Sequence, residues 1–189
     1  MKKSQRNSPI LGSRCEGSAK WIVLSALAGL LLVTGWILWE SRPSNMIAKK
    51  QEALIIGIEK RSPSRIERLL ADDYVDRWGF DRSDAAEACV DVGSQFLTLV
   101  ITSEEVTVER EGDRAVVSAL LRVGGKPVGP AGNEVTRRLN QLKTPFTFTW
   151  EKQSFLPASW RLVEIDNAEL PTQLYGYEPG DIRRAMQGE

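Results

Sequence analysis

The sequence predicts an α+β fold, with helices gathered before residue 100 and antiparallel strands after it, all behind one apolar segment. Three observations carry this. In "TPFTFTWEKQSFLPASWRLVEID", residues 144–166, Phe146, Phe148 and Trp150 alternate with Thr147, Thr149 and Glu151. That period of two marks a half-buried strand. Ile47, Leu54, Ile55 and Ile58 recur instead at helical spacing. The run Trp21–Trp39, "WIVLSALAGLLLVTGWILW", holds no charged residue.

Taken in chain order, that run comes first. At about 1.5 Å per residue it reaches roughly 28 Å, close to the ~30 Å hydrocarbon core of a bilayer. Trp21, Trp36 and Trp39 sit at its ends, where indoles favour the headgroup region. A soluble core helix is seldom apolar on every face. A signal peptide has a shorter apolar run and then a small-x-small cleavage site, whereas here the run ends in "WILWESRP". A retained transmembrane helix over 21–39 is therefore expected. Residues 1–20 carry Lys2, Lys3, Arg6, Arg14 and Lys20 against Glu16, and only Arg42, Lys49 and Lys50 follow closely after the run. This asymmetry predicts a basic cytoplasmic tail and a domain on the far side of the membrane. In a bacterial cell that is the inner membrane with a periplasmic domain. Cys89 would be the only thiol there, so no disulfide framework is expected.

Residues 45–170 suit one domain. Ser44 and Asn45 have the chemistry to cap the first helix. Ser62-Pro63 opens a second, leading into Ile66, Leu69 and Leu70. Gly79 to Ser83 breaks the pattern, and a third helix over 84–100 then carries Cys89, Val92, Phe96, Leu99 and Val100 on one face. Next, Val106 and Val108 alternate with Thr107 and Glu109, Gly112 turns the chain, and "RAVVSALLRV" returns it as a hairpin. "GGKPVGPAGNE", 124–134, reads as a loop, and "VTRRLNQL", 135–142, fits either a short helix or a strand. The two strands of 144–166 follow, and 171–189 reads as an irregular tail. Helices followed by strands predict helices packed on one face of an antiparallel sheet.

"SPSRIERLLADDYVDRWG", the helix over 84–100, "VTVEREGDRAVVSALL" and "FTFTWEKQ…WRLVEID" together resemble the nuclear transport factor 2-like superfamily. Its members are also called SnoaL-like or cystatin-like α+β domains, and the resemblance covers residues 46–168. It implies a curved sheet wrapped against three helices, with a pocket in the concave face and 144–166 as the last strand pair. In enzymes of this superfamily the pocket commonly holds an acid/base carboxylate, a tyrosine or a histidine. Carried over, the catalytic candidates are Tyr74, Asp76 and Asp81, with Trp78 beside them. A carboxylate next to tyrosine and tryptophan can have a raised pKa and serve as a general base. Aspartates equally cap helices, and Asp81 or Asp84 is placed to cap the third. Trp78, Phe146, Phe148 and Trp150 are candidate ligand-binding residues, although strand spacing of this kind also builds cores.

Composition removes whole classes of chemistry. With no histidine, a Ser-His-Asp triad or a histidine-bearing metal site is excluded. Residues 40–189 hold 20 basic against 24 acidic residues, a net of −4, which argues against a nucleic-acid partner. The acidic loop lacks calcium-loop spacing, and "GGKPVGPAG" lacks a phosphate-loop ending. No metal and no cofactor are expected. The reading is a membrane-anchored extracytoplasmic domain that binds a partner protein or a small apolar ligand without catalysis. The alternative is a small-molecule isomerase or hydrolase-like enzyme using a pocket Asp with Tyr74. Asp76 buried at a pocket floor beside Tyr74, without a cationic partner, would favour that alternative.

Overall fold

The computed structural model describes residues 25, 27–33, 35, 43–156, 158–171, 177–182 and 184. The chain divides into two units, Met1–Ser41 and Arg42–Glu189. In the first, every described residue is helical, and Leu27, Leu30, Leu31, Leu32 and Val33 are more than half exposed. Among the described residues no helix is long and apolar enough to cross a membrane. Most of the expected span 21–39, and all of the basic tail, lie outside the described residues.

The second unit runs α1 (Pro43–Glu59), α2 (Pro63–Glu67), α3 (Arg82–Ser94), β1 (Phe96–Glu111), β2 (Arg114–Pro127), α4 (Gly129–Gln141), β3 (Phe146–Lys152) and β4 (Trp160–Asp166). The four strands form one antiparallel sheet in the order β1-β2-β3-β4. This is the α+β arrangement the sequence predicts. The hairpin turns at Gly112, whose φ of 58° needs no Cβ clearance. Pro63 opens α2 directly after the extended Ser62, whose side chain makes no capping bond.

Three expectations are corrected. First, α1 begins at Pro43, so Ser44 and Asn45 lie inside its first turn instead of capping it; proline is well suited to that opening position. Second, α3 ends at Ser94, and Phe96, Leu99 and Val100 belong to β1. A bulge between Phe96 and Thr98 leaves Phe96 and Leu99 as the buried pair. Their spacing of three imitates a helix. Third, 124–134 is not a loop. β2 continues through Gly124 and Gly125, where a Cβ on Gly125 would meet the Thr98 carbonyl oxygen at 2.0 Å. Of the two readings open for 135–142, the helix holds: α4 covers most of it, so three of these helices precede the sheet and one lies between β2 and β3.

The core gathers Ile47 and Leu54 of α1, Ile66 of α2, Leu70, Tyr74, Phe148, Trp150, Trp160 and Leu162. Trp150 has no exposed surface, and its indole N–H donates to Gln51 Oε1 at 3.1 Å. Two side chains, Arg61 and Asn140, tie the surrounding elements together. The Arg61 guanidinium donates to the Phe96 and Leu97 carbonyls at the start of β1. The aliphatic stem of Arg61 passes so close to Gly93 that a Cβ there would lie 2.9 Å from Arg61 Cγ. The Asn140 amide of α4 donates to the Val123 carbonyl at 2.8 Å and accepts from Val123 N–H at 2.7 Å, copying a strand partner.

Beyond α2 the chain lies alongside β4: Ala71 N–H donates to Leu162 O at 2.8 Å, and Leu162 N–H to Leu69 O at 2.9 Å. This parallel bridge, Leu70 to Leu162, fixes where residues 72–84 begin. The described part of the tail is held as well. Asp91 on α3, 1% exposed, accepts at Oδ2 from Tyr177 Oη (3.0 Å), Gly180 N (2.8 Å) and Ile182 N (3.3 Å).

Candidate functional site

The bridge to β4 delivers Tyr74 into the core and Asp76 just behind it; both are buried. Tyr74 Oη donates to Asp76 Oδ2 at 3.3 Å. Asp76 Oδ1 accepts from Trp78 N and Phe80 N, each at 2.9 Å. The backbone closes the same turn, with Asp76 N donating to Phe80 O and Gly79 N to Asp76 O. The turn requires Gly79 at φ 81°. Both carboxylate oxygens therefore have donors, all within four residues.

Burial raises the Asp76 carboxyl above the usual carboxylate range, and the Phe80 and Trp78 amides and the Tyr74 hydroxyl pull against that rise. No ion-pair partner faces it among the described residues. Burial, then the Asp76 charge, pushes the Tyr74 hydroxyl far up, so it stays a donor. Cys89 is pushed up to about 12 by burial and by Asp76, and a protonated thiol of this kind is a poor nucleophile. Asp81 is placed differently. It is the N-cap of α3, accepting from Ser83 N at 2.8 Å and Asp84 N at 2.9 Å. The Asp84 amide, then the Ser83 hydroxyl, hold its carboxyl below the usual range.

Of the sequence candidates, then, the structure brings together Tyr74, Asp76 and the backbone of Trp78, and sets Asp81 apart on the surface. The Trp78 indole N–H reaches Pro171 O at 2.9 Å. Phe146, Phe148 and Trp150 lie in the core cluster. Among the described residues no group of three or more metal-ligating side chains is assembled.

A cavity of about 620 Å³ lies elsewhere. It opens between residues Arg68–Asp72, Arg82 at the start of α3, and the β3–β4 connection with Arg161. Neither Tyr74, Asp76, Trp78 nor Asp81 lines it. Sequence reasoning missed this cavity because its residues come from three separated segments and share no motif.

No protein-family model matches the chain, and no curated protein matches it. Among solved structures, it is similar to Bd1075 of Bdellovibrio bacteriovorus (9% identity, TM-score 0.47), over 64% of this chain and 39% of that one. An NTF2-like protein of Cytophaga hutchinsonii matches at 15% identity and TM-score 0.45, covering 65% of this chain and 93% of its own. An NTF2-like protein of unknown function in nutrient uptake from Rhodospirillum rubrum reaches 24% identity and TM-score 0.44, over 63% and 93%. At such scores and identities these likenesses assign neither a family nor an activity.

Proposed function

We propose that this chain is a membrane-tethered domain of nuclear transport factor 2-like type that binds a partner protein or small ligand without turning it over. The order of helices followed by an antiparallel meander supports the domain type, and the uncharged run Trp21–Trp39 supports the tether. One observation carries the non-catalytic reading. The buried carboxylate of Asp76 has both oxygens engaged by its own loop and does not line the cavity. A general base needs a free oxygen within reach of a substrate proton. Asp76 instead holds a turn.

One observation favours the enzyme reading: a raised carboxyl beside Tyr74, with no cation paired to it. Asp76→Asn separates the two. The substitution keeps an acceptor for Trp78 N and Phe80 N, so the fold should persist by circular dichroism. Wild type and variant are then incubated with a mixed pool of small carbonyl compounds and esters, read by mass spectrometry. The binding reading expects no product that depends on Asp76. A product formed by wild type and lost about 10²–10⁴-fold in the variant would establish the enzyme.

The tether has its own test. A reporter active only outside the cytoplasm, fused after Glu189, should be active, and the protein should stay with the membrane fraction. Activity only of a cytoplasmic reporter would reverse the orientation.

A further inference from the structure

The cavity between Arg68–Asp72, Arg82 and the β3–β4 connection is built unlike an apolar pocket. Arg68, Arg82 and Arg161 line it against a single carboxylate, Asp72, leaving a net charge of +2. That sign opposes the domain around it. Arg82 reaches out to Asp72, whose side chain is 96% exposed, and an exposed pair of this kind is worth little and is readily exchanged. Among the described residues neither Arg68 nor Arg161 has an ion-pair partner. Lys50 of α1 adds to the same field: burial, then the Arg161 charge, lowers its ammonium pKa.

The wall contributed by the β3–β4 connection is held in shape before any ligand arrives. Ser159 Oγ lies 2.8 Å from Ser154 O and 2.7 Å from Leu156 O, and accepts from Ser154 N at 3.1 Å. Gln153 N donates to Ser159 O at 3.1 Å. Leu156 and Ala158, both exposed, give the cavity an apolar side. Next to it, Phe155 and Leu156 stand out at 87% and 54% exposure.

We propose that this cavity binds a phosphate group carried on an apolar body, its charge met by Arg68, Arg82 and Arg161 and its apolar part by Leu156 and Ala158. Guanidinium forks match phosphate oxygens in geometry and charge, and three of them around one cavity suit a phosphate, as a monoester or a diester, better than a carboxylate. The group comes either from a free phosphomonoester or from a lipid headgroup, to which the exposed Phe155 and Leu156 offer a neighbouring apolar surface. The proposal rests on the binding reading above, yet the two fail separately, because Asp76 takes no part here.

The test uses the full chain in nanodiscs and the arginine reagent phenylglyoxal, with each modified site quantified by mass spectrometry. In phosphatidylcholine discs, phenyl phosphate should slow modification of Arg68, Arg82 and Arg161 several-fold while leaving Arg114 unchanged. In phosphatidylglycerol discs, protection of the same three without added phosphate would assign the source to the lipid headgroup. The double variant R68Q/R161Q should weaken protection of Arg82 about tenfold or more in phenyl phosphate concentration. Circular dichroism of this variant should match wild type, since both side chains are on the cavity wall. Protection in neither disc, or equal protection of Arg114, overturns the proposal.

Discussion

Asp76 and Asp91 are both buried carboxylates that accept three hydrogen bonds from described residues, yet they organise the chain over different ranges. Asp76 takes its donors from Tyr74, Trp78 and Phe80. Asp91 takes its donors from Tyr177, Gly180 and Ile182, as many as 91 residues away. The first closes its own turn. The second fastens the end of the domain to α3 across a long loop, whose closure costs entropy that grows slowly with length. A local tie shapes a surface and can be neutral to the rest of the fold. A distant tie can release its segment while the core stays folded.

That contrast can be broken at its largest scale through the core on which both regions rest. Trp150→Ala should cost about 3–5 kcal/mol in chemical denaturation, because it removes a fully buried indole and leaves Gln51 Oε1 without its donor. Both aspartate regions should lose protection together. A loss near zero would mean that this face of β3 is not core.

Asp91→Ala should come next, at about 2–3 kcal/mol, since charged hydrogen bonds to buried groups are lost. Its signature is local: hydrogen exchange at residues 177–182 should rise far more than in β3 or β4. Unchanged exchange there would show that other contacts fasten the segment. Asp81→Ala should be smaller, about 0.5–2 kcal/mol, the usual worth of an N-cap, and confined to the start of α3.

The pH dependence sharpens the comparison further. Asp76 is raised in the folded state, so its contribution is fully present below the unfolded value near pH ~4 and is lost as pH rises through the folded value. Asp81 is lowered, so its contribution is present above pH ~4 and is lost as pH falls through its folded value. Subtracting Asp76→Asn and Asp81→Asn from wild type, in urea melts across this range, should give slopes of opposite sign. Equal signs would remove the burial of Asp76 from the account.

What could be read in the sequence follows the same division by range. The strands of β3 and β4, the hairpin at Gly112 and the opening of α2 at Pro63 were legible because each depends on neighbours in sequence. Asp81 was legible as a cap for the same reason. The end of α3 was not, because the bulge at Phe96–Thr98 spaces buried residues as a helix does. Gly124–Gly129 read as a loop, yet Gly125 serves a close approach to Thr98 and Gly129 precedes a helix. Only the partner segment reveals that use. The pairing of residues 69–71 with β4, the Asp91 tie and the arginine cavity all join distant segments, and no local pattern announces them.

The bridge from Leu70 to Leu162 has one more effect, on how the sheet meets other chains. It lays a segment along β4 and blocks that rim, leaving β1 as the rim without a neighbouring strand among the described residues. The far half of β1 is guarded: a bulge lies between Glu104 and Thr107, and Glu105, Glu109, Arg110 and Glu111 stand along it. Bulges and charges discourage a stray strand from pairing there. Near its start, Leu97 and Val100 are exposed, but side chains engage the backbone there: Arg61 the Phe96 and Leu97 carbonyls, and Glu59 the Ile101 amide. With β4 met by its own chain and β1 covered by a bulge, charges and the Arg61 and Glu59 side chains, neither rim offers a long bare edge to a stray strand.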